Sequence, residues 1–469
     1  MVFMHENIES TNPAKNYVRI GTVEISGDAE IKEKVEKANS AKLAWKELGV
    51  TARVKLLLRV YRAFSKRKRE FASMITKETG KPIKESECEM HESLELYFKW
   101  FLENAEKALE DKVVFKDGKE IHQIIFEPLG TTAVITPWNF PFEMFVWGVI
   151  PNLIAGNTVV FKISEECPLA GKLIEEVMLS QKLPEGVFSE IYGAGDVGEK
   201  LASGSIDCIW FTGSSMVGKK LYQIAADKFI KAVLEMGGSN AGIVFEDADL
   251  DGIIGKIYSK RFDNCGQTCD AIKRLIVHET IFNKVVEKLK KEIEGKIVGD
   301  PENPETNVGS LVAKRQLALL ESQVEDAIAN GAKIVVGGRR PETLEGAFYL
   351  PTILTGVSTS MRVWREEVFG PVLLVIPFDT EEQAIQLAND SEYGLGAVVF
   401  TKDKKRAKKI AARLAVGTVE INSGSHWQPC SPFGGYKNSG LGREHGFLGF
   451  QELCQVKLIA ESLEAPNRK

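Results

Sequence analysis

The sequence predicts an α/β protein built from two units, each with its own parallel β-sheet. Short runs rich in β-branched residues alternate with helical stretches over residues 132–245, and the same alternation resumes over residues 371–421. Strands that are separated by helices usually pair in parallel and are buried on both faces. The chain of 469 residues has room for roughly three domain-sized units.

The composition is that of an ordinary soluble globular protein, with 44% hydrophobic and 27% charged residues. The 60 basic and 65 acidic residues give a net charge of −5, so the chain as a whole does not attract nucleic acid or an anionic membrane. The longest charge-free apolar stretch, residues 144–161, contains glycine, proline and asparagine, which indicates buried interior rather than a membrane span. We expect neither nucleic acid nor membrane as a partner.

The seven cysteines are odd in number and scattered, and they lack the paired spacing that is typical of zinc sites. Residues 1–17 have no basic region followed by an apolar core, so no secretory signal is predicted. This pattern favours reduced thiols, a cytoplasmic location and no bound metal.

The individual elements are predicted in order along the chain. Residues 28–112 are expected to be helical, with Asp28 as the first N-cap and a second helix from Thr51 to near Gly80. Residues 113–126 predict a hairpin, because the turn pair Asp117 and Gly118 separates two β-favouring runs. The strands expected after the hairpin cover residues 132–135, 158–163, 189–192, 206–211, 232–234, 241–245, 371–378, 394–400 and 417–421.

Two glycine loops are candidates for binding a phosphate group. Residues 193–198 form a GxGxxG pattern between a strand and a helix, the context of a dinucleotide fingerprint. No acidic residue ends a strand about twenty residues later to hold a ribose hydroxyl, so a tight turn without ligand is favoured there. The loop between Gly213 and Gly218 is the stronger candidate.

Five separated segments carry residues whose chemistry fits one reaction. Asn139 follows a buried strand with an amide donor, Glu235 closes another strand with a carboxylate, and Cys269 offers a thiol in a glycine-containing turn. A thiolate adds readily to a carbonyl carbon, whereas a hydroxyl needs a strong neighbouring base. The segments are residues 135–141, 211–218, 234–238, 264–269 and 366–371.

With these segments, and with residues 432–437 and 439–444, the chain resembles the aldehyde dehydrogenase superfamily over residues 15–460. The resemblance implies a Rossmann-like cofactor domain, a catalytic domain and a small β-element that joins subunits into a homodimer or homotetramer. The expected boundaries are 1–110 with 129–236 for the cofactor domain, 237–445 for the catalytic domain, and 111–128 with 446–469 for the oligomerisation arm.

The resemblance also implies the catalytic residues Cys269, Glu235, Asn139 and Lys162. Cys269 is the nucleophile, and the N–H groups of its turn are expected to lower the thiol pKa. The Asn139 side chain and the Cys269 N–H stabilise the oxyanion. Glu235 activates the water that hydrolyses the thioester, and its apolar surroundings should raise its pKa. Cys265 is expected to be an ordinary buried residue.

NAD is the expected cofactor and NADP is possible, because a carboxylate at Glu165 repels a 2′-phosphate. Lys162 resembles the family's ligand for the adenine ribose, and Glu367 and Phe369 its contacts to the nicotinamide end. Gly213 and Ser214 let the next helix approach the pyrophosphate. The full set of expected cofactor contacts is Ile135, Thr136, Pro137, Trp138, Lys162, Ser164, Glu165, Gly195, Phe211, Thr212, Gly213, Ser214, Val217, Glu235, Met236, Gly237, Glu367 and Phe369.

The substrate is expected to be a small aldehyde with a polar, hydroxylated or semialdehyde end. Some relatives that act on anionic substrates carry Arg at the positions of Asp263 or Thr268, and the missing guanidinium groups weaken the case for an anion. Arg261 or His426 could still contribute a donor. The expected pocket residues are Phe140, Met144, Trp147, Asp263, Thr268, Trp427 and Phe433.

Two other functions stay open at this point. An acylating relative would pass the acyl group to coenzyme A, but such enzymes commonly lack a base at the position of Glu235. A non-catalytic member of the superfamily is the second alternative, and the joint presence of Cys269, Glu235 and Asn139 argues against it.

Overall fold

A computed structural model describes residues 6–422 and 424–463. The outermost residues of the predicted cofactor domain and oligomerisation arm, 1–5 and 464–469, lie outside this described part. The strands are β1 (Asn7–Asn12), β2 (Val18–Glu24), β3 (Lys112–Lys116), β4 (Glu120–Pro128), β5 (Thr131–Ile135), β6 (Thr158–Lys162), β7 (Phe188–Ile191), β8 (Cys208–Gly213), β9 (Lys231–Met236), β10 (Asn240–Val244), β11 (Ile272–His278), β12 (Lys333–Val336), β13 (Thr352–Thr355), β14 (Val372–Phe378), β15 (Tyr393–Gly394), β16 (Gly396–Phe400), β17 (Thr418–Ile421), β18 (Tyr436–Lys437), β19 (Gly440–Leu441) and β20 (Cys454–Ser462).

The α-helices are α1 (Asp28–Glu47), α2 (Val50–Lys66), α3 (Lys68–Thr79), α4 (Ile83–His91), α5 (Lys99–Ala108), α6 (Pro141–Ala155), α7 (Pro168–Ser180), α8 (Gly195–Ser203), α9 (Ser215–Lys228), α10 (Leu250–Phe262), α11 (Phe282–Glu294), α12 (Lys314–Ala329), α13 (Arg362–Arg365), α14 (Glu381–Asn389), α15 (Lys404–Ala411) and α16 (Gly446–Glu452). A π-helical segment, Glu92–Phe98, joins α4 to α5.

The first sheet has six strands in the order β19-β9-β8-β5-β6-β7. Strands β5 to β9 run parallel, and β19 is antiparallel to β9. The order reverses at β5, which pairs with β6 on one side and with β8 on the other. Open α/β sheets bind ligands beyond the carboxyl ends of the strands at such a point. The fold therefore places a binding crevice beside the residues that follow β5 and β8.

The second sheet has seven strands in the order β12-β13-β14-β11-β10-β16-β17, and only β12 is antiparallel to its neighbour. The prediction of two parallel-sheet units is thus confirmed. The strand predicted at 241–245 follows the first sheet in sequence but belongs, as β10, to the second. The chain crosses between the sheets through residues 237–239, so Glu235 lies where the sheets meet.

The N-terminal helices differ in detail from the prediction. Asp28 is not the N-cap of α1, because Gly27 occupies that position and the Asp28 carboxylate pairs with Lys200 at 2.7 Å. The helix predicted from Thr51 to Gly80 is two helices, α2 and α3, that break at Arg67. Gly80 ends α3 with φ of 77°, a left-handed conformation that glycine adopts without strain.

The apolar stretch 144–161 is buried interior, as predicted, because α6 and β6 are buried at every position. In the described part of the chain, none of the helices combines the length and the apolar character needed to cross a membrane.

A third sheet, of three strands, stands apart from the two larger ones. The predicted hairpin is formed by β3 and β4, and β20 pairs with β4 from Cys454 opposite Pro128 to Ser462 opposite Glu120. Apolar side chains of this sheet are exposed: Val113, Val114, Phe115, Val456, Leu458 and Ile459. The sheet therefore presents apolar surface and an unpaired edge at β3.

Candidate active site

One cavity of about 810 Å³ lies between the two large sheets, and Cys269 is part of its lining. One arm of the cavity runs past the carboxyl ends of β5, β8 and β9. The other arm lies between α4, the π-helical segment, α6 and α10. We call the first the sheet arm and the second the helix arm.

Cys269 lies in a tightly held loop that leads into β11. Asn264, Cys265 and Gly266 are all left-handed, with φ of 52°, 55° and 72°. A Cβ on Gly266 would lie 2.4 Å from the carbonyl oxygen of Gly370, so only glycine fits. The buried Gln267 side chain accepts from the N–H of Val312 at 3.0 Å and donates to the carbonyl of Asn264 at 3.0 Å. The thiol is therefore presented by a loop with little freedom.

The expectation of a low thiol pKa at Cys269 is wrong. Burial raises the thiol pKa well above its ordinary value, and the carboxylates of Glu235 and Asp270 raise it further. The ammonium of Lys273 acts in the opposite direction. Desolvation and two nearby anions outweigh the turn amides, which were the basis of the prediction.

Glu235 lies at the end of β9 and lines the cavity together with Cys269, whose thiol favours the ionised form of the carboxyl. Burial is the main reason that the pKa of this carboxyl is raised well above its ordinary value, and Glu444 adds to the shift. Its Oε1 has no hydrogen-bond partner among the described residues. The pKa of Glu444 is itself raised to about 8 by burial, although Thr212 donates to it at 3.5 Å. The predicted direction of the Glu235 shift is thus confirmed.

Asn139 is joined to the Cys269 loop from the side of β5. Its side-chain Nδ2 donates to the carbonyl of Gln267 at 3.1 Å, and its own carbonyl accepts from the Asn264 side chain at 2.8 Å. The structure therefore brings Asn139, Glu235 and Cys269 to one place.

The sheet arm contains half of the expected cofactor contacts. Those that line the cavity are Pro137, Trp138, Thr212, Gly213, Ser214, Glu235, Gly237, Glu367 and Phe369. The side chains of Ile135, Phe211 and Met236 pack into the core of the first sheet, so only their backbone could meet a ligand.

The helix that follows β8 is built for close approach of a ligand. The Ser214 hydroxyl caps α9 by accepting from the N–H of Val217 at 3.4 Å. A Cβ on Gly218 would lie 2.2 Å from the Met236 sulfur, so glycine lets α9 pack against β9. A helix N-terminus with free N–H groups suits a pyrophosphate. By contrast, a Cβ on Gly195, in the GxGxxG pattern, would meet nothing within 4 Å. No neighbouring part of the protein therefore approaches this position closely enough to require glycine.

Beyond the cavity, Lys162 and Thr136 present buried polar groups at the ends of β6 and β5. Burial lowers the pKa of the Lys162 ammonium, which donates to the carbonyl of Ile163 at 3.2 Å. The Thr136 hydroxyl is buried and has no hydrogen-bond partner among the described residues. These groups fit the hydroxyl and phosphate groups of a nicotinamide nucleotide.

Glu165, on the loop after β6, has a cationic neighbour that the sequence did not indicate. Arg315 at the start of α12 lies 3.4 Å from the Glu165 carboxylate and 2.7 Å from that of Glu166. No local sequence signal could have marked Arg315, because its partners are far away in the chain. Ser164 donates to Glu165 at 3.4 Å.

Glu367 closes the sheet arm near Cys269. Its Oε1 accepts from the N–H of Gly238 at 3.0 Å and pairs with Lys273 at 3.2 Å. A Cβ on Gly237 would lie 2.1 Å from Glu367 Oε2, so a side chain there would displace the Glu367 carboxylate. The Phe369 ring meets the Trp138 ring edge to face, with centroids 5.6 Å apart.

The helix arm holds six of the seven expected pocket residues: Phe140, Met144, Trp147, Asp263, Thr268 and Trp427. Phe433 does not line the cavity. It is buried behind the wall, with its ring centroid 5.4 Å from that of Trp427 and 6.2 Å from that of Trp147. Its expected substrate contact is therefore wrong, although it supports both tryptophans.

The two donors suggested for an anionic substrate are occupied elsewhere. Arg261 is fully buried and donates to the carbonyls of Val372 at 2.8 Å and Val368 at 3.0 Å. His426 does not line the cavity, and its Nδ1 is 2.7 Å from the Glu420 carboxylate. The structure therefore contradicts both suggestions.

Carboxyl groups that the sequence analysis missed line the helix arm. Glu85, Glu89 and Glu92 follow the i, i+4, i+7 spacing of one helix face, a signal that could have revealed them. Burial raises the pKa of Glu85 to about 8, and the facing Asp263 adds to the shift. The pKa of Asp263 is raised to about 7, again mainly by burial. Glu143 and Asp270 complete the acidic lining.

The cations of the helix arm are Lys256 and Lys260, and both are already paired. Glu420 forms an ion pair with Lys256 at 3.0 Å and accepts a hydrogen bond from Lys260 at 2.8 Å. Within residues 6–422 and 424–463, none of the cavity-lining residues is an arginine. The same residues contain no cluster of three or more His, Cys, Asp or Glu with the geometry of a metal site.

The sequence and fold of this chain are similar to those of known proteins over nearly its whole length. A family model described as "Aldehyde dehydrogenase family" matches residues 3–459. Betaine aldehyde dehydrogenase of Bacillus subtilis is 37% identical over 97% of this chain and 94% of its own length. A succinate-semialdehyde dehydrogenase [NADP(+)] of Deinococcus radiodurans is 36% identical over 92% of this chain and 90% of its own. An aldehyde dehydrogenase of Bacillus cereus, solved as an NAD⁺ complex, is 31% identical with a TM-score of 0.94, covering 98% of this chain and 94% of that one.

Proposed function

The chain belongs to the aldehyde dehydrogenase family, and we propose that it oxidises a small polar aldehyde to the carboxylic acid with NAD or NADP as the hydride acceptor. The observation that carries this proposal is the meeting of Cys269, Glu235 and Asn139 at one cavity with two arms. One arm suits a nucleotide and the other a small substrate. The nucleophile lies where both can be reached.

Cys269 would add as the thiolate to the aldehyde carbon, after its thiol proton has passed to solvent. The oxyanion that forms would accept from the Asn139 amide and the Cys269 N–H. The bound nicotinamide nucleotide supplies the acceptor for the hydride. A thioester then remains on Cys269. Glu235 would remove a proton from the water that hydrolyses it, releasing the acid and the free thiol.

We assign the nucleotide to the sheet arm and its extension past Lys162. Lys162, Thr136 and Glu165 would hold the adenosine half, the N-terminus of α9 the pyrophosphate, and Glu367 the nicotinamide ribose. Names of relatives support either cofactor, since one is an NADP(+) enzyme and another was solved with NAD⁺. Arg315 beside Glu165 offers partial compensation for a 2′-phosphate.

The helix arm favours an aldehyde whose far end is hydroxylated or cationic. An anionic end would meet the acidic lining and two lysines already paired with Glu420. A hydroxyl can hydrogen-bond to these carboxyl groups whether or not they are protonated, and a cation favours their ionised form and is attracted by the rings of Trp147 and Trp427. Relatives named for betaine aldehyde, a cation, and for succinate semialdehyde, an anion, both match this chain. The charge of the residues that line the helix arm is therefore the feature that discriminates between these two kinds of substrate.

The test is a comparison of kcat/KM over glyceraldehyde, lactaldehyde, aminoaldehydes, betaine aldehyde, succinate semialdehyde and benzaldehyde, each with NAD and with NADP. We expect hydroxylated or cationic aldehydes to exceed succinate semialdehyde by about tenfold or more. A preference for succinate semialdehyde or benzaldehyde would overturn the substrate class. NADH formation by Cys269→Ala at the wild-type rate would overturn the reaction itself.

The alternative acceptor, coenzyme A, is disfavoured because a buried carboxyl, Glu235, lines the same cavity as the thiol and can activate water there. Turnover that depends on added coenzyme A would reverse this choice. A non-catalytic role would be indicated if alkylation of Cys269 left aldehyde turnover unchanged.

We further propose a homodimer or homotetramer joined through the sheet β20-β4-β3, because that sheet exposes apolar side chains and a free edge. A cytoplasmic location is proposed from the cysteine pattern: Cys88, Cys167, Cys208, Cys265, Cys269, Cys430 and Cys454 are all free thiols in the described chain.

A further inference from the structure

Lys273 is a fully buried cation beside the nucleophile, with 1% of its surface exposed. Its ammonium donates to the carbonyl oxygens of Thr268 at 3.0 Å and Cys269 at 2.7 Å, and pairs with Glu367 Oε1 at 3.2 Å. An ammonium group has three N–H donors and no acceptor. Three acceptors therefore match three donors, an arrangement that a neutral amine with two N–H groups could not satisfy.

A β-bulge between β10 and β11 turns the Lys273 side chain towards the loop that carries Cys269. Asn240 of β10 lies opposite Ile272, but the next residue, Ala241, lies opposite Arg274. Lys273 is thus the extra residue on β11, without a partner on β10. Such bulges re-aim a side chain and are frequent beside active sites.

The contact with Thr268, whose carbonyl also accepts from the Ala271 N–H at 3.3 Å, helps to orient the Cys269 amide. In a trans peptide the carbonyl and the following N–H point in opposite directions. Since the Thr268 carbonyl is held by Lys273, the Cys269 N–H is turned away from Lys273. That N–H is the backbone donor expected to stabilise the oxyanion.

Lys273 also lies close to the acidic residues that surround the Cys269 thiol. Glu235, Asp270 and Glu367 each raise the pKa of the Cys269 thiol, and the Lys273 ammonium lowers it. A thiolate in this buried position needs a counter-charge, because burial alone disfavours the charged form.

We propose that Lys273 is a positioning residue for Cys269: its ammonium group orients the amide N–H of the nucleophile and supplies the counter-charge of the thiolate. The proposal rests on the proposed function, because it takes Cys269 as the nucleophile. Through Glu367, the same cation links the nucleophile loop to the residue assigned to the nicotinamide ribose.

The experiment is the rate of Cys269 alkylation by iodoacetamide as a function of pH, measured on the enzyme without nucleotide or aldehyde and assigned by peptide mass spectrometry. Lys273→Met and Lys273→Gln remove the charge, whereas Lys273→Arg keeps it. We expect the two uncharged variants to react about tenfold more slowly at neutral pH, with midpoints about one pH unit higher or more. Lys273→Arg should stay within about threefold of the wild type.

A matched control separates positioning from a general loss of stability. Arg274→Met removes a buried cation from the adjacent position of β11, where the guanidinium donates to the carbonyls of Ser239 at 3.0 Å and Ala388 at 2.9 Å. It should lower the melting temperature and leave the alkylation profile unchanged. Loss of kcat in Lys273→Met with little change in the aldehyde KM would accompany the shifted profile.

An unshifted alkylation profile in a folded Lys273→Met or Lys273→Gln protein would overturn the proposal for Lys273. If neither uncharged variant folds, a profile of Lys273→Arg shifted upwards by about one pH unit would overturn it, and an unshifted one would support it. Retained aldehyde turnover by Cys269→Ser would instead overturn the proposed function, so the two failures are distinguishable.

Discussion

The side-chain amide of Asn139 donates to the carbonyl oxygen of Gln267 at 3.1 Å, across 128 positions of the chain. This bond ties the end of β5 to the loop of Cys269, so an amide donor from the first sheet and a thiol from the second lie in one pocket. The oxyanion donor and the nucleophile are therefore held together by a hydrogen bond between segments that are far apart in the chain.

Asn139→Ala should lower kcat by about 10²–10³, the usual cost of removing one oxyanion donor. The Cys269 thiol should still be alkylated at close to the wild-type rate, because Asn139 contacts Gln267 and not the sulfur. Steady-state kinetics and iodoacetamide labelling measure the two effects. A wild-type kcat in this variant would contradict the assignment of Asn139.

Glu235→Gln should stop turnover at the thioester, because the water loses its base. Rapid mixing should then show a burst of about one NADH per active site, followed by a steady rate about 10³-fold below wild type. In the wild type, a base with a raised pKa is protonated as pH falls, so kcat should decline towards acid pH. Absence of a burst would argue against Glu235 as the hydrolytic base.

Glu85→Gln should stabilise the protein increasingly as pH rises. The wild-type carboxyl has a pKa of about 8 in the folded chain, above the value of about 4.3 expected when unfolded. Its contribution to stability is therefore complete below the unfolded value and is lost as pH rises through the folded one. Glutamine does not ionise and can still accept from the Asn264 N–H.

We expect the melting temperature of Glu85→Gln to exceed that of the wild type by about 1–2 °C at alkaline pH, and by less at acid pH. Thermal denaturation followed at a series of pH values tests this. A difference that does not change with pH would show that Glu85 is ionised in the folded protein.

Arg315→Ala should shift the cofactor preference towards NAD. Without the Arg315 guanidinium, the Glu165 carboxylate would repel a 2′-phosphate with less compensation, and the ratio of kcat/KM for NADP to that for NAD should fall about three- to tenfold. Lys314→Ala is a matched control, since the Lys314 ammonium lies over the Tyr17 ring, 4.4 Å from its centroid. Equal ratios in both variants would remove Arg315 from cofactor selection.

Val456→Asp should weaken subunit association, because it places a charge in the exposed apolar surface of β20. Light scattering at micromolar concentration should show a lower mass than for the wild type. Val18→Asp, at a valine of β2 with similar exposure, should leave the mass unchanged. An unchanged mass for Val456→Asp would show that the exposed surface of β20 does not join the subunits.

Much of the architecture follows from local pattern, and the exceptions have physical reasons. The strands β5, β6 and β8 are rich in β-branched and apolar residues, which predicts burial on both faces. The sequence analysis does not predict β11, because its second and third residues are Lys273 and Arg274, two cations that are costly to bury without partners. Backbone carbonyls supply those partners in the folded chain, and no sequence pattern shows them.

The acidic lining of the helix arm was missed for a related reason. Glu85, Glu89 and Glu92 are spaced as one helix face, but charged residues at that spacing usually face solvent. That face becomes a cavity wall only in the folded chain, where residues of α6 and α10 line the same cavity. Phe433, conversely, was placed in the pocket by resemblance and lies one layer behind it.

The sequence by itself determined the family, the alternation of strands and helices in the two parallel-sheet units, and the identity of the thiol, the carboxylate and the amide, because these depend on residue type and local spacing. The tertiary structure decided the charge state around Cys269, the acidic character of the helix arm and the partners of Lys273 and Arg315. Those properties depend on distances and solvent exclusion between segments far apart in the chain, which no local pattern encodes.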